Sequence, residues 1–300
     1  MTNEPVLVIG GTGKTGRRVV AGLKERGVAV RVASRSSEQR FDWLDESTWG
    51  PALEGVGAVY AVPLEGVAVS RSFTGLARRS GVERIVLLSA RGVDVPGYYE
   101  DGAAADEEKS EEKNEERAAG EEAGVASHLQ GEHAVRDSGL EWTILRPGWF
   151  AQNFSEGLFL DALLAGELRL PVADGAATFV DLEDVAAVAV AALTEDGHAG
   201  QVYEMSGPRA VNLETAVAEI AGATGRPIRY VPVTVDRFTA ELRQEGLSAE
   251  DAQLWAAALN PIRRGLEAKV SDGVRRALGR DPRDFAEFVK DAAAAGAWRG

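Results

Sequence analysis

A glycine-spaced turn sits directly after the first apolar run of this chain, and it constrains the fold more than any other feature. Residues 5–10 (PVLVIG) form a continuous apolar run that ends in glycine, the pattern of a strand buried on both faces in a parallel sheet. The segment Lys14 to Arg26 follows, with Val19, Val20 and Leu23 at helical spacing and Gly27 placed to close the helix. Between them lies Gly10-Gly11-Thr12-Gly13-Lys14-Thr15-Gly16, with glycines in the frame G-x-x-G-x-x-G. Glycine gives such a turn its tight geometry, lets the backbone approach a phosphate, and lets the helix pack against the strand. The helix N-terminus then offers free N–H groups and a partial positive charge to an anion. Position and spacing predict a pyrophosphate cradle for a dinucleotide, built from Gly10, Thr12, Gly13, Lys14, Thr15 and Gly16. The alternative frame G-x-x-x-x-G-K is absent, because the residue five before Gly13 is Val8.

The end of the second strand, 28–35 (VAVRVASR), chooses between the two nicotinamide dinucleotides. An acid there would accept a hydrogen bond from a ribose 2′-OH, whereas an arginine accommodates a 2′-phosphate. The chain reads Ala33-Ser34-Arg35-Ser36. Arg35 and Ser36 are therefore expected to hold a 2′-phosphate, and the cofactor is expected to be NADP(H). A merely solvent-facing Arg35 is the competing reading.

Strand and helix patterns then alternate. Strands are predicted at 57–63, 82–90 and 140–147, with helices at 67–80 and 129–138, the latter closed by Gly139. This is an α/β fold, a doubly wound parallel sheet of Rossmann type, with its ligand at the carboxyl ends of the strands. Beyond residue 147 the alternation loosens. A helix with an acidic first turn is predicted over 181–193, a strand at GQVYEMSG, a helix from the Asn212 cap to Ala223, and a strand at RPIRYVPV. Helical segments follow from Val235, with Pro261 and Pro282 as breaks. The expected organisation is a cofactor domain over 1–147 and a smaller α/β substrate region over 148–300, interleaved with the sheet.

Composition narrows the function. The chain has no cysteine and three histidines, His128, His133 and His198, which excludes disulfides and thiol nucleophiles and argues against a zinc site. The net charge of −14 argues against nucleic acid as a partner. Eleven acids and three bases fall within 100–122, so that insert carries −8 and the rest of the chain −6. The insert reads as a solvated or disordered run, with a lid over the strand ends as the alternative. No apolar run approaches the roughly 18 residues of a membrane helix, and no basic segment precedes the first strand. The expectation is a cytoplasmic protein with no membrane partner and a small-molecule substrate, a homodimer being left open.

Together with GGTGKTG and the SRS end of strand two, several further stretches resemble the NmrA-like group of atypical short-chain dehydrogenases. They are FDWLDESTW (41–49), AVYAVP, GVERIVLLSA, SGLEWTILRPGWFAQNF (138–154), FVDLEDVAAVAVAAL (179–193) and YEMSGP (203–208). The resemblance spans nearly the whole chain, and Arg-Pro-x-x-Phe-x-x-Asn-Phe is its most specific mark. That group includes NADPH-dependent quinone oxidoreductases, festuclavine-type dehydrogenases and redox-sensing regulators. The resemblance implies that Thr12, Lys14 and Thr15 lie near the phosphates and Asp42 and Trp43 near the adenine. It implies that Val62 and Pro63 border the ribose, with Ser89 and Ala90 reaching the nicotinamide. Pro147, Trp149, Phe150, Asn153 and Phe154 would line the substrate side. Trp43 packing at an edge, and Phe150 and Phe154 as core at i, i+4, are the competing assignments.

Ordinary short-chain dehydrogenases use a Tyr-x-x-x-Lys pair for proton transfer. None of the five tyrosines here has lysine four residues on. By the resemblance, Glu132 marks the helix, His128 stands where lysine would, and Gly124 where tyrosine would. His128 is the candidate to hold the ribose or relay a proton, with Ser89 beside it; a helix-capping or surface His128 is the alternative. A chain without the pair favours acceptors that are already electrophilic: quinones, iminium ions, conjugated or aromatic ketones. The contrasting expectation is a non-catalytic regulator that senses NADP(H).

Overall fold

The computed structural model describes residues 4–99 and 126–299. The acidic insert 100–122 lies outside the described residues, as does Gly124.

Seven parallel strands form the central sheet. They are β1 (Val6–Ile9), β2 (Val30–Ser34), β3 (Gln39–Arg40), β4 (Ala58–Ala61), β5 (Arg84–Leu88), β6 (Glu141–Pro147) and β9 (Gln201–Met205), in the order β3-β2-β1-β4-β5-β6-β9. All four residues of β1 are buried, and they alternate between two cores. Val6 and Val8 pack under α1 (Lys14–Glu25) and α6 (Leu182–Thr194), with Val19, Leu23, Val185 and Val188. Leu7 and Ile9 face the opposite layer, with Trp49 of α2 (Trp49–Leu53), Phe73 of α3 (Arg71–Arg79) and Val135 of α4 (residues 126–136). Parallel strands covered on both faces need such two-sided apolar sequences. Helices α1 and α6 lie side by side, and a Cβ on Gly22 would sit 3.1 Å from Val190. The chain runs outward from β1 to β3 and then crosses back to β4, so the strand order reverses between β1 and β4. The crevice outside those carboxyl ends is where ligands bind in such sheets.

Part of the region after β6 returns to this sheet. Strand β9 joins the sheet beside β6, and α6 covers one of its faces. The rest gathers around a third core that includes Phe154, Phe159, Phe179, Phe285 and Trp298. It holds α5 (Leu160–Ala165), α7 (Leu213–Thr224), α8 (Val235–Gln244), α9 (Ala249–Ala258), α10 (Asn260–Arg263) and α12 (Phe285–Ala294), while α11 (Gly273–Leu278) packs through Val274 into the sheet core beside α6. Short ladders pair β7 (Glu167–Leu170) with β11 (Arg229–Pro232), and β8 (Ala176–Ala177) with β10 (Val211–Asn212).

The crossover helix starts at Arg71 rather than at 67, because Ser70 caps it by accepting a hydrogen bond from the Phe73 N–H at 3.1 Å. The helical run does break near Pro261, as expected: α9 ends at Ala258, and Pro261 sits in the first turn of α10, where its missing N–H has no intrahelical partner to lose. Strands β3, β7 and β8 have no alternating pattern long enough to read.

Candidate functional site

The turn after β1 has the shape that a phosphate requires. Gly10 has φ +72°, and its N–H reaches the Ala33 carbonyl at the end of β2 at 2.9 Å. A Cβ on Gly16 would collide with the Gly10 carbonyl and lie 2.7 Å from the Gly11 Cα, so the turn closes only on glycine. Gly13 begins α1 with no side-chain cap, and the first turn carries no acid. The first helical N–H groups therefore have no intrahelical acceptor and face outward. Thr12 and Gly13 are exposed, while Thr15 and Gly16 are buried beneath them. These residues fit a pyrophosphate.

Lys14 is half-buried beside Gly157, whose missing side chain makes room for its Nζ. Burial, and then Arg17 and Arg18, hold its ammonium below the usual lysine range. Glu156 pairs with Arg17 and, at 2.6 Å, with Arg18. The segment after β6 is thus fastened across the start of α1.

At the end of β2, Ser34 Oγ accepts the backbone N–H groups of Ser36 at 3.3 Å and Ser37 at 3.0 Å. This turn leaves Arg35 and Ser36 exposed. Among the described residues none forms an ion pair with Arg35, whereas Arg40 lies 3.6 Å from Asp45. The Trp43 ring meets Phe41 and Phe73 edge-on at 4.8 and 4.9 Å, and its Nε1–H donates to the Val62 carbonyl at 2.8 Å. It therefore packs and also walls the end of β4, with Pro63 next in the chain. Asp42 is turned to its own loop, its Oδ1 accepting the Leu44 N–H at 3.1 Å.

Ser89 is buried at the end of β5, with Ala90 following. Its hydroxyl donates to Glu132 Oε1 at 2.8 Å. Glu132, 1% exposed, also accepts from Arg146 at 2.8 and 2.6 Å, and Arg146 reaches Asp94 at 2.5 Å. The Ser89 proton is thus directed into a buried carboxylate, which leaves Ser89 a lone pair to offer a ligand rather than a proton. His128 lies one turn before Glu132 on α4. Its Nδ1 is buried with no hydrogen-bond partner among the described residues. Burial pushes its pKa below 6.5, and Glu65 and Glu132 oppose that shift. The ring is neutral near pH 7.

On the far side, Pro147 is buried and its carbonyl accepts the Arg91 N–H at 3.0 Å. Trp149 is half-buried and stacks on Phe159 at 6.0 Å. Phe150 is half-buried and bridges to Val180. Asn153 is half-buried near Gly157 and Lys14. Phe154 is different. It is fully buried between Phe159, Phe179 and Phe285, at 5.1, 5.1 and 5.2 Å. Residues 151–154 form a 3-10 turn, so the i, i+4 spacing does not put Phe150 and Phe154 on one face. Phe154 belongs to the core, not to the substrate wall.

Sequence reasoning missed the buried charges Arg91, Arg146 and Glu267. Arg146 lies inside the Arg-Pro stretch, but Arg91 and Glu267 are distant partners with no local signal. Among the described residues no group of three or more His, Cys, Asp or Glu is placed to hold a metal ion. No helix there is long and apolar enough to cross a membrane.

A glycine cradle at the reversal point of a parallel sheet defines a dinucleotide-binding protein. The family model described as NAD(P)H-binding matches residues 10–196, and the chain belongs to that family. An NAD(P)H azoreductase from Xenophilus azovorans is 33% identical, over 97% of this chain and 98% of its own. An agroclavine dehydrogenase from Claviceps fusiformis is 31% identical, over 95% and 96%. The fold matches an NADPH-dependent quinone oxidoreductase from Escherichia coli solved with NADPH, with TM-score 0.75, 23% identity and coverage of 95% and 99%. These similarities agree with the atypical short-chain dehydrogenase resemblance of the sequence.

Proposed function

We propose that this protein is an NADPH-dependent oxidoreductase that reduces an electrophilic small molecule, a quinone, an iminium ion or a conjugated or aromatic ketone. What supports the reading is the glycine cradle, with Lys14 beside Gly157 and Asn153 of the segment after β6, and Arg35 exposed at the end of neighbouring β2 with no ion-pair partner among the described residues. The similarity to an NAD(P)H azoreductase and to agroclavine dehydrogenases supports acceptors of this kind.

When bound, NADPH supplies a hydride. The backbone amides at the start of α1, with Lys14, hold its phosphates, and Arg35 with Ser36 holds the 2′-phosphate. Trp43 and Val62 close the adenosine side. Ser89 and Ala90 orient the nicotinamide end, and Ser89 is itself fixed by Glu132. Trp149 and Phe150 give an aromatic acceptor a flat apolar surface, which excludes water and places the reacting atom. Such placement supplies most of the rate in a two-substrate transfer. The neutral His128, with one free ring nitrogen, holds a ribose hydroxyl or passes a proton to a reduced oxygen. An iminium carbon needs no proton at all, which suits a chain without the Tyr-x-x-x-Lys pair.

The test is NADPH oxidation at 340 nm with quinones, cyclic imines and aromatic ketones, with NADH as control. Turnover well above the NADH rate supports the reading. Tight NADPH binding without turnover of any acceptor replaces it with a dinucleotide-sensing role.

A further inference from the structure

Arg91 stands just beyond β5, 3% exposed, and none of the site roles above uses it. Its guanidinium meets three separate segments of the C-terminal half. Nη1 donates to Thr178 Oγ1 at 3.1 Å and lies 3.4 Å from Glu267 Oε2, Nη2 donates to Ser271 Oγ at 3.2 Å, and Nε lies 3.2 Å from the Glu204 carboxylate. Glu267 is 2% exposed, and its Oε1 accepts from the Tyr98 hydroxyl at 2.9 Å. A Cβ on Gly148 would lie 3.0 Å from Glu267 Oε2 and 3.4 Å from Arg91 Nη1. Glycine there lets the ion pair reach the backbone between Pro147 and Trp149.

The connections run on into the acceptor wall. The Glu267 carbonyl accepts the Thr178 N–H at 2.9 Å, and the Val180 N–H donates to the Trp149 carbonyl at 2.9 Å. The Ala151 N–H in turn donates to the Val180 carbonyl at 2.9 Å. Moving Glu267 therefore moves Thr178 and Val180, and with them Trp149 and Phe150. Desolvating two charges often costs as much as their attraction returns, so stability alone is a weak reason for such a pair. Fixed orientation is what the pair supplies here.

We propose that the Arg91–Glu267 pair, with Tyr98 donating to it, is a positioning element that sets the Trp149–Phe150 wall against the nicotinamide end of the cradle. This rests on the reductase reading above. Neither residue touches the reacting atoms; both act through Gly148, Thr178 and Val180.

The test is the double variant Arg91→Met with Glu267→Gln, which removes both charges together and keeps an acceptor for Tyr98. Acceptor kcat/KM should fall at least about tenfold, with kcat sharing in the loss, because small misplacements cost rate steeply. The NADPH Kd should stay within about twofold, because the cradle is untouched. Amide hydrogen exchange at 149–151 and 178–180 should quicken. Should the double variant not fold, Glu267→Gln alone leaves Arg91 its Glu204 partner and carries the same readouts. Unchanged exchange overturns the proposal, and so does quicker exchange with unchanged kcat/KM. Failure of the reductase reading shows separately, as a wild type that binds NADPH and turns over nothing; the exchange measurement still decides the positioning role.

Discussion

Replacing Arg35 with alanine should weaken NADPH and leave NADH almost untouched. Arg35 is exposed on the turn after β2 and has no ion-pair partner among the described residues, so its removal leaves no buried group unsatisfied. The turn itself survives, because Ser34 and Ser37 hold it through their own hydroxyls. Arg40 is already engaged with Asp45 and is a poor substitute. A hydrogen bond to a charged group contributes about 1.5–3 kcal/mol, and an exposed ion pair about 0–1 kcal/mol. A phosphate held at a solvent-open turn falls between them, about 1–2 kcal/mol, or roughly 5–30-fold in Kd. Fluorescence titration of both dinucleotides at low and high salt measures it. The wild-type preference should itself shrink near 1 M salt, where the Debye length is about 3 Å. Equal weakening of NADPH and NADH would show that Arg35 acts on the fold or the shared pyrophosphate. An unchanged NADPH Kd would refute the 2′-phosphate assignment outright.

Other perturbations separate the remaining roles. Gly16→Ala drives a Cβ into the Gly10 carbonyl, so it should cost about 1–3 kcal/mol of stability and abolish dinucleotide binding; a variant that binds normally contradicts the cradle. Phe154→Ala should lower unfolding stability by about 3–5 kcal/mol, as a core aromatic does, whereas Trp149→Ala should chiefly raise the acceptor KM. Denaturant titration and acceptor kinetics on both variants check that contrast, and the reverse pattern defeats it. His128 takes a proton less readily in the folded chain than at its ordinary 6.5. The unfolded state therefore binds more protons, and stability falls as pH drops through 6.5 toward the lower folded value. His128→Gln removes that loss, so the stability gap between variant and wild type should change below pH 6.5 and stay flat above it. A gap constant across that window would mean that His128 is not buried neutral.

The cofactor half of the site was legible because its chemistry is local. A strand, a glycine turn and a helix start occupy residues 6–25, and the spacing alone specifies where the N–H groups point. The end of β2 is read the same way, since one residue type at one strand end decides the charge presented. The acceptor half was not legible to the same depth. Phe150 and Phe154 look equivalent in sequence, yet a 3-10 turn leaves Phe150 half-buried and sends Phe154 fully into the core. Ser89 looks like a free hydroxyl until Glu132, 43 residues away, accepts its hydrogen bond. Helix periodicity carries no information about such partners.

That division has a physical consequence for how acceptor choice is set. The cradle is made rigid by glycine sterics within one turn, so it holds its shape whatever packs on the far side of the crevice. The proposed acceptor wall is held instead by polar contacts spanning 176 residues from Arg91 to Glu267, and by Glu156 fastened to Arg18 across 138. Changes in the C-terminal segments can therefore move Trp149 and Phe150 while the glycine backbone of the cradle keeps its shape. Exchanging segment 260–271 for that of a relative should change which acceptor is reduced while leaving the NADPH Kd within about twofold, because uniform cofactor binding and acceptor placement are separable terms. Loss of NADPH affinity in step with the acceptor change would show that the two halves form one cooperative unit and that the cradle is not self-sufficient.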